Sequence, residues 1–283
     1  MVLFDKEVNV KTYGCSRNNQ DYVEVNPKIN LYIQTTPACN AQCYFCYTRC
    51  HSIGFDFTKL EEIIKELESK VKLGKIAITG GEPLLVPNRV HQIIDICKNH
   101  YVTLNTNAFD IKKVKEIYPY VKEIHISKHH YDNKKNDEIM KITTPSLLEI
   151  YDYGLTDKVK INCVWQKGYM EKKEDLIKML ELMSYFGFKE IRNISLLPLT
   201  QEGIENYINL SDLMKECEAF LNDGYLYDKE MCKCFEFIYL ANNGRVIKSL
   251  IRQTFNDEYS CVKQLVYDGE HLYDGFKKNN IIY

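Results

Sequence analysis

The chain has 283 residues, 45% hydrophobic and 27% charged, with a formal net charge of -2. That length supplies core for one large α/β domain or two small ones, and a pI near 6.4 argues against the basic footprint of a nucleic-acid binder. No run approaches 18 apolar residues, and the N-terminus MVLFDKEVNV lacks a basic stretch followed by an apolar one, so no membrane span or signal peptide is expected and the chain reads as cytoplasmic.

In chain order, residues 1–29 read as strand and loop, and 30–36 (NLYIQTT) as a strand closed by Pro37. A cysteine-bearing loop follows. A helix is expected over 58–72, with Thr58 as its cap, Glu61 completing a capping box, and Leu60, Ile63, Ile64 and Leu67 at helical spacing. Next come the strand KIAIT (75–79), the turn GGEP (80–83) and a helix over 88–99. Further strands are expected at 101–106, 122–127, 158–165 and 189–197, and helices at 110–118, 134–152 (broken around Pro145), 171–186 and 211–222. FEFIYLANNGRVIKSLI reads as a hairpin turning at Asn243-Gly244, and LVYDGEHLYDGF resembles a second.

Six strands alternating with helices imply parallel pairing with right-handed crossovers. Six units fall short of a closed eightfold barrel, so the expected fold is α/β: a partial, open-sided (β/α)6 TIM-type barrel over 30–200. The β-rich segments 1–29 and 201–283 are expected to pack onto it as extensions. An open doubly wound sheet is the alternative. Either fold places chemistry at the C-terminal ends of the strands.

The stretch TTPACNAQCYFCYTRC (35–50) sets four of the chain's 11 cysteines within twelve positions. Cytosolic thiols stay reduced, so a disulfide framework is not expected. Cys39, Cys43 and Cys46, spaced C-x3-C-x2-C, suit three irons of a [4Fe–4S] cube whose fourth iron stays open to a small molecule. Zinc completed by Cys50 or His51 competes with that reading, as do inert structural cysteines.

The loop resembles the radical SAM signature C-x3-C-x-aromatic-C, with Phe45 at the aromatic position. GGEP resembles the superfamily's second signature, whose backbone edge contacts the amino group of S-adenosylmethionine (SAM). Gly80 and Gly81 allow close backbone approach there, and Glu82 offers an acceptor to an ammonium group. NTNA (105–108) resembles the family's T-N-G and brings in Asn105, Thr106 and Asn107. Ser127 matches a serine that contacts SAM, Asn162 an asparagine that reaches its ribose or carboxylate, and ISLLPL (194–199), with Leu197, a run packed near the adenine.

The resemblance implies a [4Fe–4S] cluster on the three cysteines and SAM chelated to its open iron. Reductive cleavage, fed by a flavodoxin- or ferredoxin-type donor, would give a 5′-deoxyadenosyl radical that takes hydrogen from the substrate. Lys128, His129 and His130, in SKHHYD (127–132), and Arg192 are candidates for catalytic or substrate contacts. A solvated loop and a supporting arginine are the competing readings.

The expected substrate is a small molecule, with a nucleoside or nucleotide lyase releasing queuine as the specific guess. A peptide-modifying enzyme with an auxiliary cluster is the main rival, although Cys217, Cys232, Cys234 and Cys261 show no C-x2-C pattern. A non-catalytic zinc- or cluster-binding interaction protein is the rival of another class. Cys15, Cys97 and Cys163 read as structural.

Overall fold

The computed structural model describes residues 1–9, 29–46, 54–198, 200–217, 236–252, 262–276 and 278–283 in full, with the backbone of 12–13, 24–25, 225–226 and 234–235. Six parallel strands form its centre: β1 (Ile29–Gln34), β2 (Leu73–Thr79), β3 (Val102–Thr106), β4 (Glu123–Ser127), β5 (Val159–Trp165) and β6 (Glu190–Ser195). They lie side by side in chain order, as right-handed βα units require.

The connecting helices are α1 (Phe57–Lys70), α2 (Pro87–Ile96), α3 (Ile111–Ile117), α4 (Asn133–Met140), α5 (Leu147–Asp152) and α6 (Lys173–Tyr185). Leu60, Ile63, Ile64 and Leu67 bury the inner stripe of α1, as their spacing predicts. Its cap, however, is Asp56, whose carboxylate accepts from Lys59 N at 2.9 Å. A carboxylate caps and also complements the helix dipole, so Asp56 starts the helix before Thr58 is reached. The expected 134–152 helix is two helices. Lys141, left-handed at φ 57°, ends α4, and Ser146 starts α5 with a capping box to Glu149.

Two short helices follow β6, α7 (Gln201–Glu205) and α8 (Leu210–Cys217). The two expected hairpins then form, but they do not merely pack against the barrel. In the first, β7 (Cys234–Leu240) pairs antiparallel with β8 (Val246–Arg252), and β8 pairs parallel with β6. In the second, β9 (Lys263–Tyr267) pairs parallel with β1 and antiparallel with β10 (Leu272–Tyr273). One eleven-stranded sheet therefore holds the barrel strands and both hairpins, with Tyr225–Leu226 at one edge.

The two faces of this sheet differ. Ile29, Leu31, Ile33, Ile76, Ile78, Leu104, Ile124, Ile126 and Ile161 join the helical stripes in one apolar core. The alternate residues, among them Tyr32, Lys75, Glu123, His125, Lys160 and Arg192, turn to the other face. Tyr32 on β1 lies within electrostatic range of Arg192 on β6 and Arg252 on β8, although several strands separate them in the sheet. The sheet is curled, and its polar face lines a lumen. This is a partial barrel. Among the described residues no helix is long and apolar enough to cross a membrane.

Candidate functional site

The cysteine loop leaves β1 and is fastened at once to the turn after β2. Gly81 N donates to Thr36 O at 2.7 Å and Glu82 N to Ala38 O at 2.8 Å. This contact explains the glycines. A Cβ on Gly81 would lie 2.0 Å from Ala38 O, and one on Gly80, at φ 136°, would lie 2.8 Å from Thr35 N. The close approach that GGEP permits in this structure is between the turn and the cysteine loop.

Glu82 differs from expectation. It is 1% exposed, and its two oxygens already accept from Leu84 N (3.0 Å), Thr106 Oγ1 (2.6 Å) and Asn107 N (2.8 Å). Burial pushes its carboxyl up, while these hydrogen bonds favour the charged form. Its side chain clamps the ends of β2 and β3 together and is not an open acceptor for an ammonium group. Thr106 also accepts from Ala108 N at 2.9 Å, within a turn that holds Ala108 at φ 59°. A left-handed residue there accounts for glycine in the T-N-G that NTNA resembles.

Other contacts hold the loop from across the strand ends. Asn107 Nδ2 donates to Asn40 Oδ1 at 2.8 Å, and Gln42 N to Met140 O at 3.0 Å. Tyr44 Oη donates to Gln166 Oε1 at 2.6 Å, and the Phe45 ring meets His129 edge-on at 5.1 Å. Nothing in the sequence singled out Asn40, Tyr44 or Gln166, because these partners are brought together only by the barrel. Gln166 is fully buried and its Nε2 has no hydrogen-bond partner among the described residues. Tyr44→Phe would therefore strip the amide of its remaining side-chain hydrogen bond and cost about 1–3 kcal/mol. The expected result is a lower melting temperature and faster iron loss from the reconstituted protein, measured by thermal denaturation and iron analysis over time.

Cys39 and Cys46 are exposed, Cys43 is half-buried, and among the described residues none of the three forms a disulfide. Burial and then the other two cysteines push the Cys43 thiol up to about 12, which places the three within electrostatic range of one another. Among the described residues no three Cys, His, Asp or Glu side chains are gathered as for a single ion. Cys50 and His51, the expected alternative zinc ligands, lie outside the described residues. The soft thiolate donors suit an iron–sulfur cluster. Beside the loop, Gln34 is fully buried, and among the described residues neither of its amide atoms, nor the buried Asn105 Oδ1 and Asn162 Oδ1, has a hydrogen-bond partner. Buried polar atoms are nearly always paired in native proteins, so this group of orphans fits a site completed by a polar ligand such as SAM. Ser127 is the neighbour of Asn162 in register, and Leu197 lies half-buried just beyond β6.

The SKHHYD segment departs from its expected roles. Lys128 is 1% exposed and its ammonium is taken up by Asn133 Oδ1, Thr144 Oγ1 and Pro145 O. It braces the loop that follows β4, with no donor left for a ligand. His129 Nδ1 accepts from Val164 N at 3.0 Å, which fixes the Nε2–H tautomer, and burial pushes the ring down to about 3. A neutral ring so placed supports Phe45 and does not shuttle protons near neutral pH. His130 Nδ1 accepts from Asp132 N at 2.8 Å, and its buried Nε2 has no hydrogen-bond partner among the described residues. Arg192 lies on the polar face of β6. Its Nε donates to Glu190 Oε1 and its Nη1 to His125 Nδ1, each at 3.2 Å.

That last contact belongs to a lumen network. Arginine only donates and a carboxylate only accepts, so His125 bridges Arg192 and Glu123 as a neutral Nε2–H imidazole, 2.9 Å from Glu123. Burial pushes it down to about 4. Burial works to raise Glu123, but hydrogen bonds from His125, Lys160 and Tyr101 hold it well below the usual carboxylate range. A histidine depressed in the fold stabilises it above the unfolded pKa near 6.5, and that stability is lost as pH falls toward 4. The loss for His125 is about 3 kcal/mol. His125→Gln retains an acceptor for Arg192 and a donor for Glu123. Chemical denaturation at pH 6.5 and pH 4 is expected to show a smaller acid loss in that variant by about this amount.

Residues 33–209, well over half of the chain, match the Radical SAM superfamily. The chain belongs to the Radical SAM superfamily. Members use a [4Fe–4S] cluster and SAM. The GTP 3′,8-cyclase of Clostridium perfringens (strain SM101) is 28% identical over 218 residues, 69% of this chain and 64% of that protein. A probable dual-specificity RNA methyltransferase RlmN of Petrotoga mobilis is 29% identical over 193 residues, 60% of this chain and 54% of that one. The matched region thus spans less than two thirds of these relatives. SuiB of Streptococcus suis, solved with S-adenosylmethionine bound, superposes with a TM-score of 0.64 at 16% identity, over 87% of this chain and 59% of that one. At that identity the likeness speaks for the fold.

Proposed function

We propose that this radical SAM chain is an enzyme in which Cys39, Cys43 and Cys46 hold a [4Fe–4S] cluster and the adjoining strand ends hold SAM. The observation that carries the reading is the joining of the cysteine loop to the GGEP turn at Thr36–Gly81 and Ala38–Glu82, beside the orphaned amides of Gln34, Asn105 and Asn162. When bound, the reduced cluster and SAM together supply a 5′-deoxyadenosyl radical able to take hydrogen from an unactivated carbon.

The chain's own part is to bind, orient and shield. Glu82, Thr106 and Asn107 fix the ends of β2 and β3, and Asn107 passes that order to Asn40 in the loop. Asn105, Ser127 and Asn162 offer polar atoms on neighbouring strands for the ribose and carboxylate of SAM, and Leu197 offers apolar cover for the adenine. Phe45, backed by His129, shields the loop from solvent. The lumen receives a small substrate, and a flavodoxin- or ferredoxin-type protein supplies the electron. Among the described residues no specific observation favours a queuine-releasing lyase over another small-molecule reaction. For the peptide-modifying rival, Cys217 is a buried thiol raised to about 12 by burial, and Cys232 and Cys261 lie outside the described residues.

The test is anaerobic reconstitution followed by dithionite and SAM, with chromatography for 5′-deoxyadenosine. Its formation is the expected result. An iron-loaded protein that leaves SAM intact would contradict the reading.

A further inference from the structure

Resting on the reading above, the geometry points to a substrate-oxyanion site in the lumen, where Lys75 and Arg192 take a carboxylate or phosphate group. Three cations, Lys75, Lys160 and Arg192, stand on the polar faces of β2, β5 and β6, and Lys160 and Arg192 both lie within electrostatic range of Lys75, as does Arg252 on β8. Among the described residues two carboxylates stand with these three cations, and both are engaged. Glu123 holds Lys160 at 2.7 Å and His125 at 2.9 Å, and accepts from Tyr101 at 2.8 Å. Glu190 holds Lys160 at 2.7 Å and Arg192 at 3.2 Å. A further carboxylate on the adjoining β7, Glu236, is matched by Lys248 at 3.0 Å. His125 is neutral. The lumen therefore carries more positive than negative charge among the described residues.

Lys75 is where that imbalance concentrates. Its ammonium has no hydrogen bond or ion pair among the described residues, and burial, then Arg192, pushes it down to about 8. Its register partner Asn30 is occupied by the Lys75 backbone, whose N donates to Asn30 Oδ1 at 3.1 Å. One strand on, Thr103 is fully buried and its Oγ1 has no hydrogen-bond partner among the described residues. Thr103 lies between Ala77 and Glu123 in register, on the same polar face. A buried ammonium and a buried hydroxyl left unpaired are both costly, and an oxyanion satisfies both. Arg192, fixed by His125 and Glu190, adds a preformed guanidinium edge suited to carboxylate or phosphate. Reading the cations on strand faces as solvent-exposed hides this site, because only curling of the sheet brings β2, β6 and β8 together.

The test uses the full chain, reconstituted with iron and sulfide, titrated separately with inorganic phosphate and with succinate at constant ionic strength. Binding is read by calorimetry and by the 13Cε resonance of Lys75, whose titration moves up from about 8 when an anion binds beside it. Saturable binding of either anion is expected, weakened at least about tenfold (1.4 kcal/mol) in Lys75→Met and retained in Lys75→Arg. Phosphate preference would assign a phosphorylated substrate and succinate preference a carboxylic acid. No saturable binding of either anion, or equal binding by Lys75→Met, would overturn the site. Iron content and SAM cleavage are measured on the same preparation. If they are present while the anion site fails, the proposed function stands. If the anion binds and SAM is never cleaved, the proposed function fails and the site survives.

Discussion

Cys43→Ala is expected to lower iron from about four per chain to below about half an iron after reconstitution, and to abolish 5′-deoxyadenosine formation. Cys43 is the central and most buried of the three thiols, flanked in space by Cys39 and Cys46. Removing it leaves two ligands on a loop whose remaining anchors hold backbone and neighbouring side chains, not metal. Those anchors are Gly81–Thr36, Asn107–Asn40, Gln42–Met140 and Tyr44–Gln166. The fold itself should survive, because none of these contacts uses the thiol. Circular dichroism and iron analysis on the same sample separate loss of metal from loss of structure. A variant that keeps its iron and still cleaves SAM would show that Cys43 is not a cluster ligand.

Gly81→Ala is the second large effect. The added methyl would sit 2.0 Å from Ala38 O and 2.5 Å from Ala38 C, both main-chain atoms with no side-chain rotamer to move aside. The loop and the turn must separate, and with them go the hydrogen bonds at 2.7 and 2.8 Å that seat the loop. Overpacking of this kind costs about 1–3 kcal/mol, and here the strain falls on the cofactor site itself. Expected outcomes are a melting temperature lower by several degrees (about 2–4 °C per kcal/mol) and SAM cleavage reduced by at least about two orders of magnitude. Alanine at the exposed Gly168, where no atom lies within 4 Å of the added methyl, isolates the backbone strain of a φ of 79° from steric crowding, which is what Gly81 supplies. If Gly81→Ala cleaved SAM at the wild-type rate, the loop-to-turn contact would not be what organises the site.

How much of this was legible in the chain depends on the kind of signal. The six central strands followed from short strand-like runs alternating with helical segments, and the cysteine spacing and GGEP gave the chemistry because they are local. Helix starts were less legible. Asp56 and Thr58 both qualify as caps, and only the backbone at Asp56, φ -94° and ψ 102°, decides between them. The functions first read into Glu82 and Lys128 depended on which donors and acceptors reach them. Thr106 and Asn107 claim Glu82 from the next βα unit, and Asn133, Thr144 and Pro145 claim Lys128. Lys75, Glu123, Lys160 and Glu190 alternate with apolar residues, as an ordinary wet strand face would. Whether such a face meets bulk water or closes into a lumen is set by the curl of the whole sheet. The parallel pairing of β8 with β6 and β9 with β1 is likewise a matter of tertiary register, and hairpin patterning alone could not announce it.

The most direct test of the central claim is iron and acid-labile sulfide per chain after anaerobic reconstitution, with electron paramagnetic resonance of the dithionite-reduced protein before and after SAM is added. About four irons and four sulfides, with a spectrum that SAM perturbs, is the predicted result. Zinc without iron, or a cluster spectrum indifferent to SAM, would contradict the assignment of Cys39, Cys43 and Cys46 to a cluster with an open iron.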